Sequence, residues 1–141
     1  MDADYRPDIA RDMYDKDKAS QGLGIRIMEL APGKAVLEMK VTNEMLNGLQ
    51  TAHGGLLFAF ADAAMAFATN QRENPAFAIH AEIDFLKPVL RDTVLTATAT
   101  FAAEAGRTTV VDVRVEAGLD HDLVAMFRGR TRTVPSKRPG A

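Results

Sequence analysis

The segment Asn47–Gln71, NGLQTAHGGLLFAFADAAMAFATNQ, decides the fold. From Leu56 to Thr69 a single charge, Asp62, interrupts Leu, Phe, Ala and Met. A run that is apolar on every side predicts a helix buried on every side. It ends at polar Asn70-Gln71-Arg72, ahead of Pro75. Alanines at 59, 61, 63, 64, 66 and 68 keep the helix slim, so other backbones approach it closely. The run falls short of the roughly 18 apolar residues that span a bilayer. In a single domain of 141 residues, the simplest structure that surrounds such a helix is a curled antiparallel sheet.

The flanks supply that sheet. Upstream, Leu23–Leu30 and Lys34–Val41 alternate apolar and polar residues imperfectly, as half-buried strands do, and Ala31-Pro32-Gly33 joins them as a hairpin. Thr42–Thr51 then forms a loop with Asn47-Gly48 as its turn dipeptide. Downstream, strands are expected at Ala78–Leu86, Thr93–Phe101, Thr108–Glu116 and Leu123–Val134, with gaps that suit connecting loops. In the first of these, Ile79, Ala81, Ile83 and Phe85 form the apolar face against His80, Glu82 and Asp84. Residues 1–19 read as an arm or a short helix from Pro7, carrying Ile9, Met13 and Tyr14, partly solvated and packed on a neighbour. Residues 20–134 form the domain, and the tail 135–141 is expected to be disordered. The class is α+β: one long central helix wrapped by a curved antiparallel sheet of about five to six strands.

Composition narrows the function. Apolar residues at 47% and charged ones at 26% are globular values, which excludes a disordered chain. A net charge of −2 gives no electrostatic case for nucleic acid or an anionic membrane. The absence of cysteine excludes disulfides and thiolate metal sites, and three irregularly spaced histidines (His53, His80, His121) argue against zinc, so no metal is expected. The acidic N-terminus lacks a signal peptide's apolar centre, and the expected location is cytoplasmic.

A carboxylate inside an apolar helix is paired, protonated or at work, because burying an unpaired charge is very costly. Asp62 is either a buried anchor bonded to neighbouring backbone or Thr, or a reactive group. His53-Gly54-Gly55 precedes it, at a helix start whose free N–H groups and partial positive charge suit an anion or a developing oxyanion. Glycines there let a ligand approach the amides, although Gly-Gly before a helix is also a common turn. A thioester or ester carbonyl docked on them would be polarised. Asp62 would then activate a water or attack directly, with Asn47 and His53 orienting groups nearby. Spacing complicates this. Gly54 and Asp62 are about 12 Å apart along a helix, whereas a carbonyl and its attacking water lie about 3 Å apart. Two chains related by a two-fold, with antiparallel helices, resolve the conflict: one gives the amides, the other Asp62. A catalytic Asp62 therefore implies an obligate homodimer with a composite active site.

At these residues the chain resembles a known family. Asn47, His53, Gly54, Gly55 and Asp62, followed by DFLKP at Asp84–Pro88, look like the hot-dog fold acyl-CoA thioesterases, nearest to the phenylacetic acid degradation group. The likeness covers about residues 20–134. It implies Asp62 as general base or nucleophile, Gly54 or Gly55 as the amide on the thioester carbonyl, and His53 and Asn47 as positioning groups. It also implies dimers that pair into homotetramers. A Ser or Thr on the first strand after the helix often holds the water in that family. Residues 75–80 contain no hydroxyl here, which leaves His80 as a substitute.

The reading is a hydrolase of aryl- or arylacetyl-CoA, of phenylacetyl-CoA type, releasing acid and CoA. It needs no cofactor, since CoA is part of the substrate. Lys87, Arg107, Arg128 and Arg130 are candidates for the CoA phosphates, and Leu56, Phe60, Met65 and Phe67 for the acyl pocket. Enoyl-CoA hydratases on the same fold need a His–carboxylate pair that this helix lacks. An acyl-CoA-binding sensor needs no carboxylate near the thioester. A structural α+β protein with a buried Asp stays open, since fold does not fix function.

Overall fold

A computed structural model describes residues 3–135. The expected disorder of the tail falls on residues 136–141, which lie outside the described residues apart from its first residue, Pro135. Two short helices, α1 (Pro7–Lys16) and α2 (Lys18–Gly22), precede a hairpin of β1 (Arg26–Ala31) and β2 (Lys34–Lys40). The long helix α3 (Gly54–Thr69) follows, then β3 (Ala76–Phe85), β4 (Val94–Ala105), β5 (Thr108–Ala117) and β6 (Asp122–Thr133). The six strands form one antiparallel sheet in the order β1-β2-β4-β5-β6-β3, with α3 across its inner face. This is the hot-dog arrangement.

Alternation explains the core. Leu37 and Met39 on β2, Leu95, Ala97 and Ala99 on β4, Val111, Val113 and Val115 on β5, and Phe127 on β6 all point inward onto Phe60, Ala61, Ala64 and Phe67 of α3. The small residues work as expected: an ideal Cβ at Gly129 of β6 would run into Met65 Sδ, so glycine is what lets the helix lie down here. At the hairpin turn Gly33 has φ +69°, a conformation glycine adopts without strain.

Three expectations are corrected. β1 starts at Arg26, not Leu23, because Asp17 caps a separate helical turn: its carboxylate accepts from Ser20 N at 2.9 Å and Ser20 Oγ at 2.6 Å. The apolar face assigned to β3 breaks at Ile79. A bulge between Ala78 and His80 puts Ile79 out of register and leaves it 53% exposed on a strand that forms the sheet's edge. The N-terminal segment is no solvated arm. α1 buries Ile9 and Ala10 on the chain's own core, Tyr14 stacks on Phe67 at 5.9 Å, and its hydroxyl donates to Ile25 O at 2.5 Å. Among the described residues no helix is long and apolar enough to cross a membrane.

Candidate active site

His53 caps α3. Its Nδ1 accepts from Gly55 N at 3.3 Å, which leaves the ring proton on Nε2. Leu56 N and Leu57 N both donate to His53 O. Gly54 N–H therefore stands without an acceptor among the described residues, at the positive end of a 16-residue helix. Of the two glycines, Gly54 presents the free amide and Gly55 serves the cap. The Phe85 ring lies beside Gly54, 3.1 Å from where a Cβ would be.

Asn47 builds the loop that delivers the helix. Its Oδ1 accepts from Leu49 N at 2.8 Å and Thr51 N at 3.2 Å, and its Nδ2 donates to Thr51 Oγ1 at 3.1 Å. The side chain's acceptor is thereby committed to the 47–51 turn, where Gln50 takes the left-handed conformation expected of Gly48. At the far end of α3, Asn70 donates to Ala66 O at 2.9 Å and Ala76 O at 3.1 Å and accepts from Ala76 N at 3.0 Å. That clamp holds the start of β3 beside the helix.

Asp62 is half-buried, and no hydrogen bond or ion pair reaches its carboxylate among the described residues. Burial alone pushes its pKa above the ordinary value. The anchored alternative is thus not what is found. The carboxylate opens on a groove of about 610 Å³ between α1, α3 and the adjoining ends of β3 and β6. Ile9, Met13, Met65, Pro75 and Phe77 give it apolar walls, and Arg6, Asp12 and Lys16 of the N-terminal segment reach it as well. Of the four residues assigned to the acyl pocket, only Met65 lines this groove; Phe60 and Phe67 are wholly inside the core. The contribution of α1 has no signal in the sequence, since nothing local ties residues 6–16 to Asp62. Gly54 opens instead on a second, smaller cleft with Phe85, Leu86 and Lys87. Within one chain the amide and the carboxylate do not meet.

The basic residues do not gather. Lys87 pairs with Asp122 at 2.6 Å, and Arg128 makes two bonds to Asp112 at 2.6 and 2.8 Å on the outer face of the sheet. That contact holds the Asp112 carboxyl below its usual range. Arg130 is exposed on the same outer face, opposite His80, and Arg107 is exposed at the β4–β5 turn. Lys87 and Arg107 lie at opposite ends of the β3–β6 pair, about 30 Å or more apart by strand rise. His80 is also corrected as the water's partner: the register that pairs it with exposed Arg130 turns it away from the groove, 3.6 Å from Glu82.

Residues 49–123 match the model of a family described as Thioesterase superfamily. The chain is 40% identical to the acyl-coenzyme A thioesterase PaaI of Escherichia coli over 125 residues, 89% of both chains. The structure of the E. coli PaaI protein from the phenylacetic acid degradation operon superposes with a TM-score of 0.88 at 38% identity, covering 92% of this chain and 94% of that one. A mutant of the phenylacetic acid degradation protein PaaI from Thermus thermophilus gives 0.80 at 35% identity, covering 84% and 100%.

Proposed function

The chain belongs to the thioesterase superfamily and is a thioester hydrolase, and from that premise we propose that it hydrolyses an arylacetyl-CoA of the phenylacetyl type to the free acid and CoA. The observation that carries the proposal is the unpaired, half-buried Asp62 carboxylate in an apolar-walled groove, on the same helix whose N-terminus leaves Gly54 N–H unbonded. The name of the E. coli relative supports the acyl-CoA class. The apolar width between Ile9, Met13 and Phe77 supports an aryl group over a straight polar one.

In this mechanism the thioester carbonyl docks on Gly54 N–H of one subunit and the partner's Asp62 faces it. Asp62 takes a proton as water oxygen bonds to the carbonyl carbon. Negative charge gathers on the carbonyl oxygen, where the amide and helix end stabilise it. The intermediate collapses, the C–S bond breaks, and the proton on Asp62 passes to the CoA sulfur. A raised pKa suits this shuttle, because the proton is both accepted and returned near neutral pH. Lys87, beside the Gly54 cleft, is the cation placed to meet a CoA phosphate.

The test is thiol release from phenylacetyl-CoA, hydroxybenzoyl-CoA and a medium-chain acyl-CoA by wild type and Asp62→Ala. Turnover that falls by about 10²-fold or more in the variant, with assembly intact, supports the reading. Tight binding without turnover of any ester refutes it and leaves a sensor. A single turnover in ¹⁸O water separates the base from the nucleophile, since direct attack would place ¹⁸O in Asp62 over successive cycles.

A further inference from the structure

Two buried side-chain polar atoms lack a hydrogen-bond partner among the described residues: Gln71 Oε1 and Thr131 Oγ1. Only Thr131 lines the groove that holds Asp62. A buried hydroxyl without a partner is uncommon enough to need an account. Thr131 is 2% exposed and sits on β6 at the third inward position after Phe127 and Gly129. Its strand neighbours leave it unsatisfied: Ala78 opposite it on β3 has no polar side chain, and Thr109 opposite it on β5 donates to Glu104 at 3.0 Å.

The helix above shows why this hydroxyl meets Asp62. Residues 58, 62 and 65 share one face of α3, being four and three apart. Phe58 packs edge-on against Phe127 at 5.5 Å, and Met65 lies on Gly129. Asp62 falls between them on that face, and the next inward side chain along β6 is Thr131. The stretch 75–80, which lacks any hydroxyl, ends on the wrong face with His80. The groove thus contains one carboxylate and one spare hydroxyl, from elements far apart in sequence.

We propose that Thr131 is the water-holding residue of the hydrolysis. Its Oγ1 accepts one proton of the nucleophilic water while Asp62 accepts the other, which turns the oxygen lone pair toward the thioester carbon. The inference rests on the hydrolase reading above. Both groups come from the same subunit, facing the amide of the other.

Thr131→Val and Thr131→Ser test it, with wild type assayed on the same acyl-CoA panel. Valine keeps the shape and removes the orphan atom, so a merely structural Thr131 predicts unchanged or higher Tm and unchanged rate. The proposal predicts that Thr131→Val keeps its Tm and its KM while kcat falls about 10- to 100-fold, and that Thr131→Ser recovers most of kcat. A Thr131→Val kcat within twofold of wild type overturns it. A loss that serine fails to recover assigns the effect to packing and also overturns it. A wild type silent on every ester is a different result, and refutes the hydrolase reading itself.

Discussion

If amide and carboxylate come from different subunits, two dead variants should revive each other. Gly54 and Asp62 are eight residues apart on one helix, about 12 Å, and they open on separate clefts. Asp62→Asn removes the base and should lower kcat by about 10²- to 10⁴-fold. Gly54→Val blocks the amide, since even a Cβ at 54 would stand 3.1 Å from Phe85 Cζ. Each variant alone leaves both sites of a two-fold dimer broken. In a mixed dimer, one site takes its intact Gly54 from the Asp62→Asn chain and its intact Asp62 from the Gly54→Val chain, and is whole. The other site carries both lesions. Equal amounts reassembled at random should therefore reach about one quarter of the wild-type rate, whether dimers stay single or pair into tetramers. The assay is thiol release from phenylacetyl-CoA after co-refolding, with the Gly54→Val, Asp62→Asn double variant mixed with wild type as control. A mixture no more active than the sum of its parents would refute the shared site and place both groups in one chain.

Other outcomes follow from single contacts. Because burial raises the Asp62 pKa above its ordinary 3.8, the folded state holds that proton more tightly than the unfolded one. Stability conferred by the protonated form is present at low pH and is lost as pH rises through the raised value. Denaturation of Asp62→Asn against wild type should show the variant gaining steadily above pH 3.8 and then levelling off. In the same pH series, wild-type kcat should rise with an acid limb above the ordinary aspartate range, and the variant should lack that limb. Gly129→Ala drives a methyl into Met65 and Phe127, which should cost about 1–3 kcal/mol in urea denaturation. Adding Met65→Ala should return part of it, and strict additivity would count against the clash. Tyr14→Phe loses the bond to Ile25 O and should cost about 1 kcal/mol. Met13→Ala widens the groove and should shift kcat/KM toward bulkier acyl groups by about tenfold.

What the sequence made legible follows from what is local. The helix announced itself through an uninterrupted apolar run, and β2, β4, β5 and β6 through residues that alternate along one strand. β3 misled at Ile79 because a bulge depends on the partner strand and the bare edge on the order of all six. His53, Gly54 and Asp62 could be singled out because capping and burial are properties of one helix. Arg128 and Lys87 looked free because their partners, Asp112 and Asp122, arrive through cross-strand pairing. Thr131 and α1 had no local signal at all: 69 positions separate Thr131 from Asp62, and only the folded sheet brings them together.

The groove's two walls have different histories of constraint. Asp62, Gly54 and the strands beneath them belong to the central core, where almost any change of volume is felt. α1 is tied down by a few contacts, Tyr14 on Phe67 and Ile25 and Arg6 N on Gln71 O, yet it forms the side of the groove that the acyl group would touch. Selectivity is thereby carried on a detachable part. Substitutions in the first twenty residues could retune which acid is released while the catalytic helix stays untouched, so related chains with the same chemistry would be expected to diverge fastest at their N-termini.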